Sequence, residues 1–411
     1  MTAGSRLDAA IKRVVDAGNC SGCGGCAQLD SGIRLQLDGD GFSRPERVGE
    51  SDAAADSVSR FRSSCPGLTV RAEKPRGSRR HPTMGSYVAA YEAWATDEAV
   101  RFAGSSGGTL TALAGWLLET GESSRMIGAA ADTDAPRRTV AVQITTREDA
   151  LRLAGSRYAP VSTAAGAGAL DASTVFVGKP CEASAVRALL RSSPATPDSP
   201  APILLSFFCA GTPSQHATDR LVESLGVPSA EPVESLWYRG RGWPGRFTVT
   251  RGDGSTASAS YEDSWGSTLG PATQWRCKIC ADGVGESADV TAADFWRPDS
   301  RGYPDFAEGA GVSALIARSL RGQDLIARAV SAGVIVARPI DIDDLAGMQP
   351  LQRDRRTTLL GRLLGAIASG ARVPHYRGFG LLSLGLGRPR ESIRAGRGTL
   401  RRLRARRRKD V

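Results

Sequence analysis

The sequence predicts an α/β (α+β) chain: a mixed-sheet domain, preceded by a small cysteine-bearing module and followed by a basic tail. Three observations carry this reading. Short apolar runs alternate with helix-spaced stretches between about residues 87 and 340, four cysteines fall before Pro66, and the positive charge is concentrated after Arg377. At 411 residues the chain exceeds the roughly 250–300 at which a single core stops growing, so more than one core is expected. The expected division is 1–82 for the cysteine module and its linker, 83–340 for the main domain, and 341–411 for a helix and an arginine-rich tail.

The first module runs from about Leu7 to Pro66 and is followed by the basic Pro/Gly/Ser stretch Lys74–Pro82, which reads as a linker. Leu110, Leu113, Ala114, Leu117 and Leu118 follow helical spacing, and Gly121 stands where that helix would stop. Val140–Ile144, Thr174–Val177 and Ile203–Phe208 read as strands, with a helix over Glu182–Leu190. Arg246–Thr250 and Thr256–Tyr261 flank a turn and read as a hairpin, which would make the main sheet mixed. Val312–Ala317, Gln323–Ser331 and Val334–Ala337 form a strand-helix-strand unit, and Arg356–Ser369 is the last expected helix before an irregular Gly/Arg-rich tail.

Composition narrows the functional classes. Apolar residues are 41% and charged residues 23%, as in ordinary globular enzymes, and no run of about 18 apolar residues could span a bilayer. Residues 1–30 lack the apolar core of a secretory signal, so a cytoplasmic location is expected, where stable disulfides are disfavoured. The eight cysteines then read as metal ligands or redox groups.

Cys20, Cys23 and Cys26 stand two residues apart among glycines that let a loop wrap a cluster. Ferredoxin-type runs end in a cysteine before proline, and Cys65-Pro66 supplies one, though far downstream. Four thiolates also suit structural zinc, but zinc sites usually pair two knuckles. Cys181 and Cys209 each follow a buried strand, and Cys277 and Cys280 form a knuckle. Singly, Cys181 and Cys209 fit small buried hydrophobes, and Cys181 before a helix also fits a reactive thiol. Together the four give the ligand count of a second 4Fe-4S cluster at the carboxyl edge of the sheet.

Ser105, Ser106, Gly107, Gly108 and Thr109 run straight into the first predicted helix, where unpaired amides could hold a phosphate or simply be capped. Gly155–Pro160 and Tyr238–Gly245 are polar-aromatic loops able to pack a planar group, and Asp294 is either a cap or a cofactor contact.

In order, the Cys20–Cys26 run, Ser105–Gly108, Gly178-Lys179-Pro180-Cys181, Cys209-Ala210-Gly211, Tyr238–Gly245, Cys277–Cys280 and Ala288–Trp296 resemble the coenzyme F420 hydrogenase/dehydrogenase beta-subunit family. The resemblance covers roughly Cys20 to Ala337, and Ala210 departs from a pattern that often has histidine there. It implies an iron-sulfur flavoprotein oxidoreductase with two 4Fe-4S clusters and FAD, exchanging hydride with coenzyme F420. It also implies that Ser105, Ser106, Gly107, Gly108 and Thr109 bind FAD, with Tyr158 and Lys179 near the flavin. Two alternatives stay open: a ferredoxin-dependent reductase of an organic metabolite, for example in glycan biosynthesis, or a non-catalytic electron-transfer subunit. A redox partner, either ferredoxin or another oxidoreductase subunit, and a small-molecule substrate are expected. The basic tail is a candidate for contact with an anionic surface, a partner or nucleic acid, beside the plainer expectation of a solvated disordered tail.

Overall fold

The computed structural model describes residues 2–192, 200–296 and 308–407, without the side chains of Arg406 and Arg407. Its centre is an eight-stranded mixed sheet: β1 (Ala89–Ala95), β2 (Arg125–Ala131), β3 (Thr139–Ile144), β4 (Thr174–Gly178), β5 (Ile203–Phe207), β6 (Val290–Asp294), β7 (Ser313–Ala317) and β8 (Ile335–Pro339). The spatial order is β8-β1-β7-β6-β5-β4-β2-β3. Strands β2, β4, β5 and β6 run parallel, while β7, β8 and β3 pair antiparallel with their neighbours. The sheet is therefore mixed, but not through the expected hairpin. Phe247–Arg251 and Thr256–Ala259 instead join Val233–Trp237 in a separate three-stranded sheet.

Strand periodicity explains the layers, because alternate residues enter opposite cores. Val175, Leu205, Ala292 and Leu315 pack with the Thr109–Glu119 and Leu320–Ser331 helices on one face. On the other face, Phe176 and Leu204 meet Val186 of the Pro180–Arg191 helix, while Ala293 and Ile316 meet Leu345. The Thr109–Glu119 helix ends as its sequence implied: Gly121 takes a left-handed φ of 74° two residues beyond the last helical turn.

The N-terminal module packs Leu7, Ile11 and Val14 of the Ala3–Asp16 helix against Phe61 and Leu189, with Cys20, Cys26 and Cys65 at the edge of this core. The supposed linker is partly ordered strand, since Arg79–His81 pairs with Gly85–Tyr87 and Arg80 reaches Glu286 at 2.6 Å. The C-terminal segment also departs from expectation. Pro350–Ala368 is one helix, and the expected irregular or disordered tail is ordered as Leu381–Gly387 and Pro389–Arg407 helices. His375–Arg377 pairs in parallel with Thr69–Arg71, and Asn19 donates to the carbonyl of Arg372, so the end of the chain is joined to the cysteine module.

Candidate redox and cofactor site

The chain between the Glu98–Ala103 and Thr109–Glu119 helices turns at Gly108, whose φ of 70° suits glycine and whose added Cβ would lie 2.6 Å from the Val100 carbonyl. This turn opens onto a cavity of ≈ 390 Å³ lined by Ser105, Ser106, Gly108, Thr109, Tyr158 and Lys179, and on other sides by Cys209, Arg239 and Asp294. Six of the seven residues expected at the cofactor thus share one cavity. Gly107 is not among its lining residues: its amide donates to Ser313 Oγ at 3.0 Å, and an added Cβ would lie 2.5 Å from the Ala93 carbonyl, so its place is in packing. Ser106 Oγ meets the same Ser313 hydroxyl at 2.8 Å, and Ser156 Oγ donates to Ser105 Oγ at 2.7 Å. Thr109 Oγ1, by contrast, is buried without a protein partner.

Arg239 is a charged residue of the cavity lining, and its carbonyl accepts from the amide of Ser156, the residue hydrogen-bonded to Ser105. It is 1% exposed, donates Nη1 to Asp294 at 2.6 Å and Nε to the Pro244 carbonyl, and lies about 5 Å from the ring centres of Trp243, Tyr261 and Trp296. Its Nη2 is buried with no protein acceptor. Burial alone would weaken its hold on the proton, but Asp294 more than offsets this and keeps it firmly charged. The wall thus presents a fixed cation and an uncommitted donor. Tyr158 packs at 4.9 Å from Trp265 and 5.9 Å from Tyr238, which orients its ring on the cavity side. Lys179 is less available: Nζ donates to the Val161 carbonyl and to Glu182 Oε1, both at 2.7 Å. Glu182 also accepts from the Lys179 and Thr163 amides, so this buried pair sets the β4 turn that carries Cys181.

The fold brings the cysteines together as two sets. Cys20, Cys23, Cys26 and Cys65 line a small cavity of ≈ 30 Å³ beside Val14, Phe61 and Pro66, so the distant Cys65 does return to the run. Burial raises the Cys23 thiol to about 11, assisted by repulsion from Cys20. Burial also raises Cys26 and Cys65, and the neighbouring thiols add to both shifts. Register places the ends of β4 and β5 side by side, with Ser206 opposite Gly178, and so carries Cys181 next to Cys209. Cys209 is raised to about 12 by burial and by Cys277 and Cys280, while Cys277 Sγ accepts from the Thr212 amide at 3.4 Å. The Pro180–Arg191 helix that carries Cys181 packs on the Cys20–Cys26 loop, where an added Cβ at Gly25 would lie 3.0 Å from Ala185 Cβ, so the two sets are neighbours.

Mutually repelling buried thiols are unfavourable as thiolates on their own and suit a cationic centre. Among the described residues, no three His, Cys, Asp or Glu groups are close enough to hold one ion. The first four thiols surround a space rather than a point, and a cubane takes each thiolate at a separate iron. Thr109 Oγ1 and Arg239 Nη2 are likewise donors of the kind a phosphorylated flavin would engage.

The C-terminal helix supplies residues that sequence reasoning missed. Gln349 donates to the Asp294 carbonyl at 2.7 Å. Gln352 and Arg355 donate to the Cys209 carbonyl at 3.3 and 2.9 Å, and Arg355 also donates to that of Ala210 at 2.5 Å. Arg356 holds the Ala281 carbonyl and Glu286, and Tyr376 holds the Ile279 carbonyl. One signal was present: Arg355 and Arg356 are adjacent arginines within a helix otherwise rich in core residues.

Two family profiles match the chain and between them cover well over half of it. Both describe the beta subunit of coenzyme F420 hydrogenase/dehydrogenase: the profile of its N-terminal part matches residues 90–166, and that of its C-terminal part matches 171–343. The chain belongs to this family. Similar curated proteins include coenzyme F420 hydrogenase subunit beta from Methanococcus voltae, 25% identical over 66% of this chain and 90% of the relative. The subunit of that name from Methanosarcina barkeri is 25% identical over 63% and 84%. The fold also resembles a chain of the F420-reducing NiFe hydrogenase complex from Methanosarcina barkeri, with a TM-score of 0.51 and 24% identity over 67% of this chain and 91% of that one.

The protein is thus a coenzyme F420 hydrogenase/dehydrogenase beta-subunit-like oxidoreductase, in a family that implies iron-sulfur and flavin cofactors. The cavity's glycine-serine turn lies in the first matched segment and the second cysteine set in the other. Cys20, Cys23, Cys26 and Cys65 precede both, and the Pro350–Ala368 helix follows both.

Proposed function

We propose that this protein is an iron-sulfur flavoprotein that passes electrons between two 4Fe-4S clusters and FAD, and exchanges hydride with coenzyme F420. The observation that carries this is a continuous series of sites. Cys23 neighbours Cys181, Cys181 neighbours Cys209, and Cys209 lines the cavity that also holds the Ser105–Thr109 turn. Flavin supplies the exchange between one-electron and two-electron chemistry, and the protein supplies position and electrostatics.

In this reading Ser105, Ser106 and Thr109 bind the anionic part of FAD, and Arg239 offers its free Nη2 to a polar group. Tyr158 bounds the ring, while Lys179 acts by fixing the Cys181 turn. The first four cysteines hold one cluster and the other four the second. Other oxidoreductase subunits are the expected partners, since the matched fold is that of a chain in a hydrogenase complex.

Anaerobic reconstitution of the purified protein tests the cofactor content. We expect about eight irons and one FAD per chain, and Cys20→Ser should lose about half the iron. A colourless zinc protein, or loss of all iron from Cys20→Ser, would count against two independent clusters. Reduction of F420 with an artificial donor would support an enzyme acting alone, whereas inertness until a partner subunit is added would support the electron-transfer subunit.

A further inference from the structure

The C-terminal extension has two faces, and only the inner one is used by the site. On the Pro389–Arg407 helix, Ser392, Gly396 and Thr399 turn inward, where Gly361 and Gly365 let the Pro350–Ala368 helix approach. Arg390, Arg394, Arg397, Arg401 and Arg404 recur at intervals of three and four residues, forming one stripe, and all five are exposed. None of the five is paired with a carboxylate among the described residues, and Glu391 is the helix's single acidic residue. On the preceding Leu381–Gly387 helix, whose Gly385 carbonyl accepts from Ser392 Oγ at 3.2 Å, Leu382 and Leu386 lie one turn apart and are each 65% exposed. Ile393 is exposed next to the stripe, and Leu364 and Ile367 are exposed on the third helix. Among the described residues, six of the eleven large exposed hydrophobic side chains fall between Leu351 and Ile393, so the C-terminal extension is enriched in them.

An unpaired arginine stripe and exposed leucines on two touching helices combine two requirements of an interfacial anchor: cations for lipid phosphates and apolar side chains for the acyl boundary. We infer that the outer face of residues 381–404 docks the protein on an anionic lipid surface, with arginines on the headgroups and Leu382 and Leu386 inserted beneath them. A polyanion such as nucleic acid would use the stripe alone and leave the leucines without a role. The inference does not depend on the cofactor reading, because it uses neither the cavity nor the cysteines.

The test is co-sedimentation of the full-length protein with vesicles of phosphatidylcholine alone or of phosphatidylcholine with phosphatidylglycerol. Binding should appear only with the anionic vesicles and weaken as salt is raised. R394E/R397E should lower partitioning at least tenfold, and L382S/L386S several-fold, with melting temperature and cofactor content unchanged in both. No binding to anionic vesicles would overturn the proposal. So would full binding by L382S/L386S, especially with equal retention of single-stranded RNA by both proteins, since that pattern belongs to a polyanion site.

Discussion

Thr109 and Arg239 both line the cavity, each with a polar atom that the protein leaves unpaired. An unsatisfied buried hydroxyl costs roughly 1–3 kcal/mol, so Thr109→Val should leave the cofactor-free protein as stable as before, or more so. The same change should weaken FAD retention, and comparing melting temperature with flavin content after gel filtration separates the two effects. A purely structural threonine would instead lower the melting temperature and leave retention unchanged. At this scale the Cys20–Cys26 run, the Cys277–Cys280 knuckle and the glycine-serine turn stand out because each is local in sequence, whereas the place of Cys65 beside the run is set by the fold. Arg239 was visible only as part of a polar-aromatic loop, since its pairing with Asp294 is made by the fold. The contacts of Gln352 and Arg355 were not legible, because their partners are backbone carbonyls more than a hundred residues away.

Arg355 belongs to an element whose role is to hold the loops of the second cysteine set. Its two bonds to the Cys209 and Ala210 carbonyls come from a charged, buried donor, so Arg355→Gln should destabilise the protein by about 1.5–3 kcal/mol. Iron of the second set should also become more labile to a chelator, followed by bleaching in the visible region, while Arg355→Lys should preserve part of the resistance. The contact between the two long C-terminal helices makes a separate prediction. A Cβ at Gly361 would meet the Ser392 carbonyl at 1.8 Å, so Gly361→Val should separate the helices and expose the Arg390–Arg404 region to trypsin. Wild-type resistance in that variant would show that the contact is dispensable. Periodicity found most helices and strands of the main domain, but it placed the hairpin in the wrong sheet. The pattern specifies a pair of strands, and the partner of that pair is chosen by tertiary packing. The ordered tail was missed for a related reason: glycines and arginines weaken a helical pattern, and here the glycines serve close helix approach.

Across the whole molecule, buried carboxylates tie separate layers together and set the response to acid. Arg47's hydrogen bond holds Asp30 well below its usual 3.8, against the opposing effect of burial and with help from Ser51 and the Gly32 amide. Burial pushes Glu286 up, but Arg356 and Arg80 outweigh it and hold it below 4.5. Both groups are lowered on folding, so their stabilisation is complete above their unfolded values and is lost as pH falls through the folded ones. The melting temperature should therefore be flat with respect to these groups from about pH 7 to 5 and fall below about pH 4.5. Asp30→Asn should be less stable than wild type at neutral pH and lose less on acidification, which thermal melts across this range would measure. The pairing of Thr69–Arg71 with His375–Arg377, together with the bond from Asn19 to Arg372, has a consequence for biogenesis. A nascent chain can make these contacts only after residues 372–377 have been synthesised, so the N-terminal module waits for a segment roughly 300 residues downstream before its packing is complete.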